Sequence, residues 1–199
     1  VSALGGRWLA PNLAGPMLIV GAGVQGQAHV EVFAAALGVK QFRIASRRRG
    51  SAEALAEHAC GLGLQAEVVD EADAALADCP LAATCTPASE VVLRAAPRAD
   101  AFIAAVGAFT PQMVEIDAEL CRRIAAQGRI VVDSRDAGHE AGDLLQAGLD
   151  VDAMPALADI VRAQQTARAE GGPVLFKSCG WAGWDLAAAR LAVQARAGG

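Results

Sequence analysis

The sequence predicts an α/β protein built on a doubly wound parallel sheet. Apolar runs of strand length alternate with segments of helical character along most of the chain, an order typical of parallel sheets covered by helices on both faces. A glycine-rich turn also follows the first apolar run, where a helix is predicted to begin. In this class ligands bind beyond the carboxyl ends of the strands, so we expect the functional site there.

The predicted elements follow in a regular order. A short helix ends before Pro11, and residues 12–16 link it to the first strand. Ser51 is predicted to cap its helix, because a serine side chain accepts hydrogen bonds from free backbone N–H groups at a helix start. The predicted strands are 18–20, 42–45, 65–69, 81–86, 101–106, 129–133 and 174–178. The predicted helices are 3–10, 29–37, 51–58, 71–77, 114–126, 140–147, 154–161 and 182–196.

Composition excludes several classes of protein. With 199 residues, 54% of them hydrophobic and 20% charged, the chain can form one good core, and no apolar run reaches membrane-spanning length. A net charge of -5 argues against nucleic acid or an anionic membrane as the main partner. The five cysteines are scattered without a C-x-x-C pair, which favours free thiols in the cytoplasm and predicts no metal site.

The start of the chain predicts a longer polypeptide. The chain does not begin with Met, and residues 1–4 have the character of a helix interior without a capping residue before it. We therefore expect this chain to be a fragment or excised domain.

The motif G-x-G-x-x-G over residues 21–26 predicts a dinucleotide site, because it lies between an apolar strand and a helix. Gly21 permits the sharp turn, Gly23 lets the backbone approach a pyrophosphate, and Gly26 lets helix and strand pack closely. The positive end of the helix dipole then faces the phosphates.

The residues after the second strand bear on which dinucleotide binds. NAD-preferring sites have a carboxylate there for the ribose hydroxyls, whereas this chain has Ser46 followed by Arg47, Arg48 and Arg49. Guanidinium groups pair well with a 2′-phosphate. The pattern favours NADPH over NADH, although a solvated basic turn is the alternative interpretation.

Several further segments resemble the ornithine cyclodeaminase/mu-crystallin family, and most closely its Δ1-pyrroline-2-carboxylate (ketimine) reductases. They are TCTP at 84–87, AVGAFTP at 105–111, VVDS at 131–134, EAGD at 140–143 and FKSCG at 176–180. The resemblance implies a helix and linker from an N-terminal lobe over 1–15 and an NAD(P)-binding Rossmann domain over 16–150. It also implies a C-terminal segment, 151–199, that packs on the cofactor site and on a substrate and dimerisation lobe largely outside this chain.

The resemblance also implies the site residues. Glu140 is expected to face the substrate pocket and is the candidate catalytic residue, for substrate positioning or proton supply. The residues expected to bind the cofactor, in chain order from the pyrophosphate turn to the nicotinamide, are Gly21, Ala22, Gly23, Val24, Gln25, Gly26, Ser46, Arg47, Arg48, Ser51, Thr86, Pro87, Val106 and Ser178.

The activity that the resemblance implies is NADPH-dependent reduction of cyclic ketimines to L-proline or L-pipecolate by a homodimer. Cyclodeaminases have an Asp at the position of Phe109 and a Lys at that of Met113, which argues against ornithine cyclisation. The alternatives are a cyclodeaminase, an alanine-dehydrogenase-like enzyme, a mu-crystallin-like protein that binds NADPH without turnover, or an unrelated fold of the shikimate dehydrogenase type.

Other polar residues have less specific expectations. His29, His58 and His139 are expected to be packed or exposed rather than ligands. Lys177 is expected either to meet a cofactor phosphate or substrate carboxylate or simply to flank its strand.

Overall fold

The computed structural model describes residues 1–164 and 171–197. The α-helices are α1 (Ser2–Leu9), α2 (Val24–Leu37), α3 (Arg49–Gly61), α4 (Ala72–Leu76), α5 (Ala118–Gln127), α6 (Gly142–Gln146), α7 (Leu157–Ala163) and α8 (Ala182–Ala197), with a 3-10 helix over Arg135–His139. The strands are β1 (Met17–Val20), β2 (Gln41–Ala45), β3 (Gln65–Val68), β4 (Leu81–Thr84), β5 (Ser89–Leu93), β6 (Phe102–Ala105), β7 (Val114–Ile116), β8 (Arg129–Val132) and β9 (Val174–Lys177).

Seven of these strands form one parallel sheet in the order β3-β2-β1-β4-β6-β9-β8. The predicted α/β class with a parallel sheet is confirmed. The order runs outward in both directions from the β1–β4 pair, which makes that pair the switch point where such sheets bind ligands. A row of paired residues marks the carboxyl edge of the sheet: Ala45, Val20, Thr84, Ala105, Lys177 and Val132.

The core lies on both faces of the sheet because strand side chains alternate in direction. In β1, for example, Ile19 belongs to the cluster that contains Phe33 of α2 on one face, whereas Leu18 belongs to the cluster that contains Leu76 of α4 on the other. Strands β1, β4, β6 and β9 are buried along their whole length. This explains why they are apolar runs in the sequence, apart from Thr84 and Lys177 at the carboxyl ends of β4 and β9.

Helix α1 packs closely on the sheet and on α2. At Gly5 an added Cβ would lie 3.1 Å from the ring of Phe176, so only a very small residue fits there. The buried His29 of α2 donates from Nδ1 to the Gln25 carbonyl at 2.7 Å, and its Nε2 accepts from the Ser2 hydroxyl of α1 at 2.9 Å. Burial lowers the pKa of His29, so the ring is neutral, and both of its nitrogens are hydrogen-bonded within the fold.

The helix predicted over 114–126 is wrong in its first turn. Val114 and Ile116 flank Glu115 in strand β7, which pairs with β5 in a separate two-stranded sheet. The helix begins only after Asp117, whose side chain accepts from the N–H groups of Glu119 and Leu120. Asp is a strong N-cap residue, and the three residues before it were too few for the sequence pattern to separate a strand from a helix.

Other predicted boundaries also differ: the helix predicted over 29–37 begins at Val24, and three further helices depart from their predictions. Ser51 is not the cap of α3, which begins at Arg49 after Arg48 and has no side-chain cap. The helix predicted over 140–147 is shorter, since the 3-10 helix ends at His139 and α6 begins at Gly142. The helix predicted over 154–161 is α7, shifted toward the C-terminus.

The C-terminal part of the chain divides between the sheet and a separate helix. Strand β9 lies inside the sheet between β6 and β8, whereas over residues 182–196 helix α8 has no buried residue, and its Leu191 is 68% exposed. Residues 165–170 and 198–199 of the predicted segment 151–199 lie outside the described residues. None of the helices described combines the length and hydropathy that crossing a bilayer requires.

Candidate functional site

The glycine turn after β1 is closed on its inner side. The Gly21 N–H donates to the Ala45 carbonyl of β2 at 2.8 Å, and Gly21 has a φ of +108°. This region of φ is strained for any residue with a Cβ, which would also collide with the Cys85 carbonyl. A Cβ on Gly26 would collide with the Gly21 carbonyl. Both glycines are therefore required for the turn itself.

The outer side of the same turn is open. Gly23 is the N-cap of α2, and a Cβ built on it would meet no atom within 4 Å. Val24 is 86% exposed and Gln25 is exposed, while Ala22 is half-buried. The first N–H groups of a helix have no intrahelical partner, so this end of α2 is an open site for an anion. The absence of a side chain at Gly23 leaves open space beside these N–H groups.

The three arginines after β2 differ in their partners. Arg49 makes ion pairs with Glu53 at 3.0 Å and Asp70 at 2.7 Å. Arg47 is 3.5 Å from Glu90, and both of these side chains are well exposed. Within the described residues Arg48 is exposed and makes no ion pair. Arg48 is therefore the guanidinium most available to a phosphate group.

Ser46 and Ser51 lie beside these arginines. Ser46 directly follows β2 and is half-buried, and Ser51 lies in the first turn of α3, where its N–H donates to the Arg48 carbonyl at 2.9 Å. The adenosine-end residues predicted from the sequence thus lie together, although Ser51 is not a cap.

A buried carboxylate joins the loops after β4 and β6. Glu115 is fully buried and accepts four hydrogen bonds. The donors are the Thr84 hydroxyl, the Thr86 hydroxyl and N–H, and the Gly107 N–H. The Thr86 hydroxyl accepts in turn from the Ala88 N–H at 3.1 Å. Of the nearby predicted residues, Pro87 is exposed and Val106 is half-buried.

A second buried carboxylate lies directly behind the first. Asp143 of α6 accepts from the N–H groups of Glu115 and Ile116 through Oδ1 and pairs with Lys177 Nζ through Oδ2 at 2.7 Å. Asp143 and Lys177 are both fully buried. Of the two expectations for Lys177, its burial agrees with a structural role at the end of its strand and not with contact to a cofactor phosphate or substrate carboxylate.

Asp133 holds the loop after β9. It is buried at the end of β8, and its Oδ2 accepts from the Ser178 hydroxyl at 2.8 Å and the Gly180 N–H at 2.9 Å. Ser178, expected near the nicotinamide, thus lies at the carboxyl edge with its hydroxyl already donated. Burial, with smaller contributions that include the Glu140 carboxylate, raises the pKa of the Cys179 thiol to about 12. Glu140 itself is half-buried and directly follows the 3-10 helix.

The predicted residues converge on one edge of the sheet. The turn at Gly21, Ser46, Thr86, Val106 and Ser178 follow the carboxyl ends of β1, β2, β4, β6 and β9, which the register aligns. A shallow depression of about 500 Å³ lies at the opposite edge, where Gln41 and Gln65 begin β2 and β3, and it contains none of them. Within 1–164 and 171–197 no three His, Cys, Asp or Glu side chains are arranged to hold a metal.

Sequence reasoning missed Glu115, Asp143 and the role of Asp133. A lone carboxylate between Val114 and Ile116 could have indicated an apolar strand with a buried acid, but alternation over three residues is too short to interpret. The donors to Glu115 come from residues 84–86 and 107, and no local pattern relates these positions to 115.

Comparison with known proteins gives the family. The model of the ornithine cyclodeaminase/mu-crystallin family matches residues 1–198. Over 203 residues the chain is 36% identical to Delta(1)-pyrroline-2-carboxylate reductase 2 of Burkholderia ambifaria, covering 100% of this chain and 63% of that protein. Over 193 residues it is 35% identical to ketimine reductase mu-crystallin of Mus musculus, covering 96% of this chain and 58% of that protein.

A solved structure agrees with these relatives. Thermococcus litoralis Delta(1)-pyrroline-2-carboxylate reductase in complex with NADH and L-proline superposes with a TM-score of 0.80 and 25% identity. The match covers 90% of this chain and 57% of that one. The chain therefore spans less than two thirds of the length of these relatives. The resemblance predicted from the motifs is confirmed: this chain belongs to the ornithine cyclodeaminase/mu-crystallin family.

Proposed function

We propose that this chain is the cofactor-binding portion of an NADPH-dependent reductase that converts Δ1-pyrroline-2-carboxylate or Δ1-piperideine-2-carboxylate to L-proline or L-pipecolate. The observation that carries the proposal is the open end of α2 at Gly23, together with the exposed Arg48, which makes no ion pair within the described residues. The relatives named as reductases of these imines support the substrate class. The whole protein is proposed to act in the cytoplasm as a homodimer.

The residues of this chain would hold the cofactor along the carboxyl edge. The turn from Gly21 to Gly26 would bind the pyrophosphate through backbone N–H groups. Ser46, Arg47, Arg48 and Ser51 would bind the adenosine end. Thr86, Pro87, Val106 and Ser178 would lie along the nicotinamide end. Two of these, Thr86 and Ser178, have their hydroxyls donated to buried carboxylates, so they would present carbon and backbone atoms to a ligand.

The chemistry divides between the cofactor and the protein. The nicotinamide supplies the hydride when bound. The chain supplies orientation. Rigid loops that hold a ligand in one geometry reduce the loss of entropy on reaching the transition state. Glu140 is proposed to position the substrate or supply a proton to the imine nitrogen. Phe109 is 54% exposed and offers no acid where cyclodeaminases have one, which supports simple reduction over deamination.

Consumption of NADPH by the whole protein with Δ1-pyrroline-2-carboxylate tests this proposal. We expect NADPH oxidation at 340 nm, slower oxidation of NADH, and no ammonia release from ornithine. Tight NADPH binding without turnover of either cyclic imine would contradict the proposal and favour a binding protein. Ammonia release from ornithine would favour a cyclodeaminase.

The NADPH preference gives a second prediction, on Arg48→Ala. Charge-assisted hydrogen bonds contribute about 1.5–3 kcal/mol, so the Kd for NADPH should rise roughly 10- to 100-fold, with the Kd for NADH unchanged. Fluorescence titration measures both. Arg49→Ala is the matched control, because Arg49 is already paired with Glu53 and Asp70. Equal losses for NADPH and NADH in Arg48→Ala would contradict a 2′-phosphate contact.

A further inference from the structure

The loops that would meet the nicotinamide are joined by a side chain from outside the main sheet. Glu115 belongs to β7 of the small two-stranded sheet, yet its carboxylate reaches the ends of β4 and β6. Oε1 accepts from the Thr86 N–H and hydroxyl, both at 2.7 Å. Oε2 accepts from the Thr84 hydroxyl at 2.8 Å and the Gly107 N–H at 2.6 Å. Each oxygen is therefore fully occupied, and the two oxygens together connect the two loops.

The contact between the loops is tight as well as polar. A Cβ on Gly107 would collide with both the Thr86 carbonyl and the Glu115 carboxylate. Residue 107, the second after β6, must therefore be glycine for the two loops to approach this closely. The separation of the loops is set by one carboxylate rather than by variable side-chain packing.

Glu115 is itself held in place from behind. Its N–H donates to Asp143 Oδ1 at 2.6 Å, and Asp143 Oδ2 pairs with Lys177 Nζ at 2.7 Å. Lys177 ends β9, the neighbour of β6 in the main sheet. A continuous buried polar chain thus runs from β9 through Asp143 and Glu115 to the loops after β4 and β6.

Burial of two carboxylates is a poor way to gain stability alone, because desolvation opposes the gain and apolar residues of similar volume often serve as well. The Glu115 carboxylate, which accepts from four donors, does, however, favour one geometry of the loops that it joins. Here that geometry concerns Thr86, Pro87 and Val106. Within the described residues no hydrogen bond links Glu115 to the adenosine-end segment 46–51.

We propose that Glu115 is a positioning residue that sets the separation of the loops after β4 and β6 and thereby shapes the nicotinamide end of the cofactor site. This inference rests on the proposed function. It distinguishes the two ends of the cofactor: loss of the carboxylate should impair binding of the nicotinamide half and leave the adenosine half unaffected.

The test uses the whole protein with Glu115→Gln and two ligands. One is NADPH, and the other is 2′-phospho-ADP-ribose, which has the adenosine half and both phosphates but no nicotinamide. Glutamine keeps the shape of the side chain but gives one backbone N–H an NH2 group instead of an acceptor. We expect NADPH affinity, measured by calorimetry, to fall about 10-fold while that for 2′-phospho-ADP-ribose stays within about twofold.

Two control variants separate positioning from general loss of stability. Glu119→Gln removes an exposed carboxylate near Glu115 in sequence and should change neither affinity. Ile124→Val leaves a small cavity in the core cluster that also contains Ile116, the neighbour of Glu115. It should lower the free energy of unfolding without changing the ratio of the affinities for NADPH and 2′-phospho-ADP-ribose. Thr84→Val is a milder second variant if Glu115→Gln does not fold. It removes one donor to Oε2 at a fully buried position, and should shift the ratio in the same direction.

The outcomes are distinguishable. A wild-type protein that binds neither ligand would overturn the proposed function, and this inference with it. A wild-type protein that binds both, with a Glu115→Gln or Thr84→Val variant that loses both equally or neither, would overturn the inference and leave the proposed function standing. Selective loss of NADPH affinity would support it.

Discussion

Lys177→Met is expected to destabilise the protein by roughly 3–5 kcal/mol, the typical loss when one partner of a buried ion pair is removed. Methionine fills a similar volume, so the loss reflects charge rather than a cavity. Asp143 would remain fully buried without its cation. Urea unfolding followed by circular dichroism measures the change in the free energy of unfolding, provided that the transition is two-state.

Two further variants give this prediction its controls. Arg135→Met removes the cation of a surface pair with Asp159 at 2.8 Å and should change stability by less than about 1 kcal/mol. Lys177→Met combined with Asp143→Asn removes both charges while keeping an amide oxygen for the N–H groups of Glu115 and Ile116, and should recover part of the loss. A decrease of less than about 1 kcal/mol in the free energy of unfolding for Lys177→Met alone would contradict an ion pair of Lys177 and Asp143 that is buried away from solvent.

Gly26→Ala is expected to abolish measurable NADPH binding and to destabilise the protein by about 1–3 kcal/mol, the usual range for overpacking. The added Cβ would collide with the Gly21 carbonyl, a backbone atom that cannot rotate away. The turn must therefore open, although alanine is the better helix former by about 1 kcal/mol. Thermal unfolding measures the stability, and fluorescence titration measures the binding.

Gly23→Ala is the matched control for this prediction. A Cβ at Gly23 meets nothing within 4 Å and its φ of -94° suits any residue, so stability should change by less than about 1 kcal/mol. NADPH affinity should still fall, because the methyl group would occupy the space proposed for the pyrophosphate. Unchanged NADPH affinity in Gly23→Ala would place the cofactor elsewhere. A large loss of stability would contradict the open outer side of the turn.

The glycine turn could be predicted from the sequence, whereas the buried network of Glu115, Asp143 and Lys177 could not. The glycine turn was predictable because its requirements are local: a turn at Gly21, an open approach at Gly23 and close packing at Gly26 lie within six residues. The arginines were predictable as a group, but not individually. Among the described residues Arg49 is ion-paired and Arg48 is not, and the pairing of Arg49 depends in part on Asp70, which lies after β3.

The chain order alone was sufficient to identify the parallel α/β class, because apolar runs of strand length and helical patterns are set by neighbouring residues and by which faces must be buried. It was also sufficient to assign the glycine turn to the carboxyl end of the first strand. The tertiary structure was needed to show that Glu115, Asp143 and Lys177 form one buried chain and that Asp133 holds the loop at Ser178. These contacts join residues 28 to 45 positions apart, and only sheet register and burial in a low-dielectric core bring such groups together and require them to pair.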